Sequence, residues 1–148
     1  MRLCENGPVG YGKEGSFEGF CSGGGIVRLA EFLARTEKLS SPLLDGSVTL
    51  SAKLLAEAAA EGDAFARRVY EVCAEKLGAG LSVLIDVLDV EAIVIGSIYQ
   101  RSRSLFEKTV LSVIEKEALP GANTRCKILP SGLGDSLGDL AALSLCEE

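Results

Sequence analysis

Histidine is absent from all 148 residues. That absence removes Ser-His-Asp and Cys-His nucleophile systems, imidazole metal ligands, and the side chain whose charge ordinarily changes near neutral pH. Cys-x-x-Cys pairs are missing as well. The five cysteines stand apart at positions 4, 21, 73, 126 and 146. Such a scattered, odd-numbered set fits neither a disulfide framework nor a zinc knuckle, so free thiols in a reducing cytoplasm are expected. No stretch reaches the ~18 uninterrupted apolar residues of a membrane span, and Met1-Arg2-Leu3-Cys4 opens no apolar signal core. Basic residues are outnumbered, 15 Lys and Arg against 21 Asp and Glu, leaving a net charge of −6. That is the wrong sign for wrapping nucleic acid or anionic lipid. A soluble cytoplasmic protein with neither a nucleic-acid nor a membrane partner is expected.

The chain does have the means to build a core. Apolar residues make up 47% of it and the mean hydropathy is +0.27, which excludes disorder. A single domain of this length buries roughly 68–70% of its unfolded surface and leaves no room for a second core.

Eight of the 17 glycines fall within residues 1–25, so the opening reads as a shaped Gly-rich loop rather than a helix. Residues 26–88 read as helical. Apolar spacing at 26, 29, 30 and 33 marks the first helix, with Ser22 or a glycine at its cap. Thr49 or Ser51 can cap a second helix, Ala52 to Ala60, which Gly62 stops. Asp63 opens a long third helix to about Leu88, whose Gly78 and Gly80 predict a notch where another backbone packs close. Residues 91–148 read β-α-β-α. Ala92-Ile93-Val94-Ile95 has the look of a buried parallel strand. A helix follows from about Ser102 to Leu119, then a strand over Cys126-Lys127-Ile128-Leu129 and a last helix over 136–146. Two convincing strands beside five helices cannot make a covered α/β sheet, so the pattern implies part of a larger one.

Several segments resemble the ROK family of sugar kinases and sugar-responsive repressors, within the actin-like ATPase superfamily. Gly62-Asp63, then Leu77-Gly78-Ala79-Gly80-Leu81, then Ala92-Ile93-Val94-Ile95-Gly96 are similar to that family's long helix and the strand it leads into. Leu133-Gly134-Asp135-Ser136-Leu137-Gly138 is similar to its closing Leu-Gly-Asp segment. Gly12-Lys13-Glu14-Gly15-Ser16-Phe17-Glu18, leading to Ser22-Gly23, resembles the end of its zinc loop. The likeness maps the chain onto the C-terminal half of a family member about twice its length. It implies an α/β fold, the C-terminal part of an actin-like (ribonuclease H-like) lobe. It also implies ATP and Mg²⁺ as cofactors and a hexose or N-acetylhexosamine as substrate.

By the same resemblance, Glu18 accepts hydrogen bonds from sugar hydroxyls, while Gly96, Ser97 and Gly134 border the adenosine. Ser97 stands where the family has a second glycine. Val9, Tyr11 and Ser16 occupy the positions of the family's zinc-binding cysteines, so no zinc is expected. The family's phosphate loops, its Asn-Asp pair with the catalytic base and its Glu-x-Gly-His sugar contact have no match here. The catalytic residues are therefore none of this chain's, and alone it should not be a competent kinase. A homo-oligomer or a separate amino-terminal half is the expected partner. The alternative is a non-catalytic sugar-sensing or oligomerisation module. Ser22-Gly23-Gly24-Gly25 reads as a tight helix start rather than a phosphate cradle. Lys53, Arg67, Arg68, Lys76, Arg101 and Arg103 read as solvated surface charge.

Overall fold

The computed structural model describes residues 1–146. A short antiparallel hairpin, β1 (Val9–Gly10) and β2 (Lys13–Glu14), leads into α1 (Phe17–Cys21) and α2 (Gly23–Thr36). Then come α3 (Ala52–Glu61), α4 (Ala64–Leu88), β3 (Ala92–Ile95), α5 (Ser97–Arg101), α6 (Arg103–Glu117), α7 (Ala122–Arg125), β4 (Lys127–Pro130) and α8 (Leu137–Ser144).

The long helix α4 is the axis of the molecule. At 25 residues it is about 37 Å long, with Asp63 accepting the Ala66 N–H at its start. Just ahead of it, Gly62 closes α3 in the left-handed region at φ 105°, as its sequence position predicts. Phe65, Val69, Cys73, Leu77, Leu81 and Ile85 repeat every four residues along α4 and are all buried. On α4 the Tyr70 ring meets Phe106 of α6 edge-on at 5.3 Å, and its hydroxyl donates to the Ala52 carbonyl of α3. One aromatic side chain thus links three helices.

The two glycines of α4 do form a notch, filled at Gly78 by the Val113 side chain and the Val110 carbonyl of α6 and at Gly80 by side chains alone. A Cβ on Gly78 would lie 2.7 Å from Val113 Cβ of α6, and one on Gly80 would lie 2.3 Å from the Phe17 ring of α1.

Two expectations need correction, and one element goes unanticipated. The Gly-rich opening is not wholly loop. Ser16 caps α1, and Ser22 caps an α2 that starts at Gly23, three residues before its apolar stripe. Glycine is tolerable there because first-turn amides have no intrahelical acceptor to lose. The helix expected from Ser102 forms as α6, but ahead of it stands the short α5, which no expectation covered. Finally, β3 is not buried on both faces. It pairs with β4 in parallel, Val94 opposite Leu129, but only Ile93, Ile95 and Ile128 pack against the helical core. Val94 and Leu129 remain 62% and 42% exposed, because two strands bring a helical layer to one side only.

Several basic residues are also less solvated than expected. Arg67 donates to the Ala59 carbonyl at 3.0 Å. Arg68 is bidentate to Glu37 and also pairs with Glu71. Arg103 pairs with Glu107, and Lys76 lies over the Phe20 ring.

Candidate functional site

Two turns of the chain converge at the amino-terminal ends of helices. One is Cys21–Gly23, between α1 and α2. The other is Gly96–Ser97, between β3 and α5. Between them lies a cavity of about 230 Å³, its apolar lining completed by Leu77, Ile98, Tyr99 and Phe106.

Each turn is locally determined. Ser22 Oγ accepts the Gly25 N–H at 2.9 Å, which sets the start of α2. Gly25 must lack a side chain, since its Cβ would fall 2.5 Å from the Glu18 carbonyl oxygen. This close approach presses the start of α2 onto α1 and fixes the helix that carries Glu18. Across the cavity, Ser131 N–H donates to the Ile95 carbonyl at 2.9 Å and extends the β3–β4 ladder to the turn. Ser97 then sits at φ 54°, a left-handed conformation that costs a side-chain-bearing residue energy.

The four residues predicted from sequence are not all brought together. Gly96 and Ser97 line the cavity. Glu18 is half-buried on α1, one turn before Cys21, and lies outside that lining. Gly134 begins a 3-10 turn beside α5, where a Cβ would be 3.8 Å from Gln100 Nε2. It too stands outside the lining.

A second cavity, about 400 Å³, lies on the other side of Ile98. Lys53, Tyr70, Arg101 and Ser102 are among its walls. Burial pushes the Tyr70 hydroxyl above its ordinary pKa, so it stays a donor throughout the neutral range. Sequence reasoning missed this cavity and the part played by Cys21, Ser22 and Gly23 in the first. The glycine run was the one available signal for the latter.

Larger grooves of about 530 and 630 Å³ border Arg68. Arg68 is already held by Glu37 and Glu71, which raise its pKa further, and no candidate residue lies there. Size alone therefore points away from the candidate chemistry.

The hairpin shows how this loop is shaped. Tyr11 and Gly12, at φ 49° and 69°, form its left-handed turn. Ser16 Oγ donates to the Gly10 carbonyl and accepts from the Gly19 N–H. Gly15 at φ 63° lies so close to Cys4 that a Cβ would meet the Cys4 carbonyl oxygen at 2.1 Å. Among the described residues, no three His, Cys, Asp or Glu side chains gather into a metal cage. A nucleotide-bound Mg²⁺ takes much of its shell from phosphate and water, so it would ask little of these side chains.

The comparisons bear directly on this arrangement. A sequence profile of the ROK family matches residues 1–148. The glucokinase of Aeropyrum pernix is 31% identical over 149 residues, spanning 95% of this chain and 45% of the glucokinase. That of Halalkalibacterium halodurans is 32% identical over 133 residues, spanning 88% and 40%. Among solved structures, a ROK family glucokinase from Streptomyces griseus in complex with glucose and AMPPNP superposes with a TM-score of 0.74 at 26% identity, over 98% of this chain and 49% of its own. A ROK family transcriptional regulator, a homologue of the E. coli MLC protein, gives 0.72 at 23% identity over 88% and 33%, a likeness of fold. The chain thus spans less than half the length of each of these relatives. With a family profile matched from end to end and an actin-like ATPase fold shared with these neighbours, the chain belongs to the ROK family.

Proposed function

We propose that the chain is the C-terminal lobe, residues 1–148, of an ATP-dependent sugar kinase acting on a hexose or N-acetylhexosamine. The catalytic base that deprotonates the sugar hydroxyl comes from outside these residues, from a lobe matching the part of the relatives that this chain does not span. The observation carrying the reading is the cavity where the turn following Glu18 meets Gly96–Ser97 at the carboxyl end of a parallel strand, the usual ligand position in α/β folds.

In this reading Glu18 offers two carboxylate acceptors to sugar hydroxyls. Gly96 and Ser97 let the backbone approach the adenosine, with Gly134 bordering it from the far side of α5. ATP with Mg²⁺ supplies the phosphoryl group. This chain's residues bind and orient, which is most of what phosphoryl transfer needs from a protein. The glucokinase relatives support glucose as the first sugar to try.

The test is titration calorimetry of the chain with glucose and, separately, with AMPPNP. Glu18→Gln is expected to weaken glucose binding about 10- to 100-fold, the effect of losing a hydrogen bond to a charged group, with AMPPNP unchanged. Gly96→Val should do the reverse. Unchanged glucose affinity in Glu18→Gln would remove Glu18 from the site. Sugar binding without any nucleotide binding would favour the sugar-sensing module instead, the branch whose fold the transcriptional regulator represents.

A further inference from the structure

Cys21 and Cys73 are 52 positions apart in sequence, and each thiol reaches the other's backbone segment. Cys73 Sγ donates to the Phe20 carbonyl at 3.2 Å, and Cys21 Sγ lies 3.9 Å from the Cys73 carbonyl oxygen. Phe20 is the residue before Cys21, so the two contacts bring the two cysteines together from both sides. The hydrogen bonds of the other cysteines join none of them to a second cysteine. Cys4 donates to Asn6, Cys126 to Lys127 and Cys146 to Ala142. Among the described residues, Cys21 and Cys73 are the two thiols that face each other across elements, α1 against α4.

Access differs between them. Cys73 is fully buried, and its neighbour Cys21 together with burial holds its thiol well above the ordinary range. Cys21 is half-buried and lines the 230 Å³ cavity, which admits a small reagent. A buried thiol is a poor first target, and an accessible one beside it is a good one.

We infer that Cys21 and Cys73 form a hydroperoxide-responsive thiol pair, in which Cys21 is oxidised first and Cys73 resolves it to a disulfide joining α1 to α4. In the first step the Cys21 sulfur attacks the peroxide. An S–O bond forms, the O–O bond breaks and the remaining oxygen leaves as water or alcohol, while Cys21 becomes a sulfenic acid. In the second step the Cys73 sulfur attacks the Cys21 sulfur, the S–O bond breaks and the hydroxyl leaves as water with the Cys73 thiol proton. Two thiols and one hydroperoxide thus give one disulfide, one water and one further water or alcohol. The sulfurs must close to about 2.05 Å. Closing that distance asks α1, the shorter of the two elements at five residues, to move against α4. The disulfide would fasten the helix carrying Glu18 to the central helix. This inference does not depend on the kinase reading.

The experiment treats the full chain with hydrogen peroxide, blocks remaining thiols with N-ethylmaleimide under denaturing conditions, and maps the peptides by mass spectrometry. Expected are three maleimide adducts per chain where the untreated chain takes five, and a Cys21–Cys73 linked peptide reversed by dithiothreitol. A melting temperature higher by on the order of 10 °C should accompany the closed loop. Cys21→Ser, at a half-buried position, should fold and lose both the link and the shift. The proposal is overturned if Cys73 stays alkylatable after oxidation, if Cys21 accumulates as sulfinic acid without the link, or if the link joins other cysteines.

Discussion

At Ser97 the chain carries strain that one substitution can release. Its φ of 54° places a Cβ where the left-handed region disfavours one, a cost of roughly 1–2 kcal/mol for ordinary residues. Glycine has no such cost, although it adds backbone entropy to the unfolded state. Ser97→Gly is therefore expected to stabilise by about 0.5–1 kcal/mol net, read as a melting temperature raised by ~2–5 °C. A fall in melting temperature would show that the Ser97 hydroxyl makes a contact worth more than the strain. The resemblance to the family's Gly-Gly turn already singled out this position, because backbone conformation there dictates residue type directly. The role proposed for Glu18 rests on the resemblance alone, since nothing in the residues around it marks it as a site. Lys53 and Tyr70 were not legible at all, because the cavity they line exists only once α3, α4 and α5 pack together.

Between elements, the tightest control lies at Gly78, where α4 and α6 approach closely. Replacing Gly78 with alanine gains about 1 kcal/mol of helix propensity. It also puts a Cβ 2.7 Å from Val113 Cβ and 3.1 Å from the Val110 carbonyl oxygen, and overpacking of this kind costs ~1–3 kcal/mol. The backbone carbonyl cannot rotate aside, so repulsion should win. Gly78→Ala is expected to lower the melting temperature by ~2–6 °C. Gly78→Ala combined with Val113→Ala should recover part of that loss. Gly132, with open space around it and an ordinary φ, is the control at which alanine should change stability by less than about 0.5 kcal/mol. If Gly78→Ala stabilises the chain, the helices can part more readily than their spacing shows. Helix positions were well marked in the sequence because caps and apolar period agree at Ser51, Gly62 and Asp63. The start of α6 at Ser102 was marked too, whereas the short α5 was not, because five residues carry no apolar period and Gly96 supplies no side-chain cap.

For the whole molecule, the decisive feature is that among the described residues one face of the β3–β4 sheet has no helical cover. Strand counting anticipated this, because two strands among several helices cannot close an α/β core; the apolar run of β3 misled, because period alone does not say how many faces are covered. Val94 and Leu129 are register partners, so their exposed side chains lie side by side. α8 and the residue that follows it expose Leu140, Leu143 and Leu145, at 44%, 62% and 84%. Exposed apolar side chains of this size are normally covered, when they gather into a patch, by another part of the protein or by a partner. On the reading proposed above, the cover is the lobe that would complete the kinase. Without that lobe, a second copy of the chain offers the same apolar pair and an unpaired parallel edge. Sedimentation equilibrium of the chain alone should then show association at tens of micromolar, a free energy near −6 to −7 kcal/mol. Val94→Glu with Leu129→Glu should leave a monomer of unchanged helical content, because both side chains already face water. Adding the matching amino-terminal lobe of a glucokinase relative should dissolve the self-association in favour of a one-to-one complex. A chain that stays monomeric at high concentration, with or without those substitutions, would mean that the uncovered face is stable in water as it stands, and the lobe-completion reading would lose its structural support.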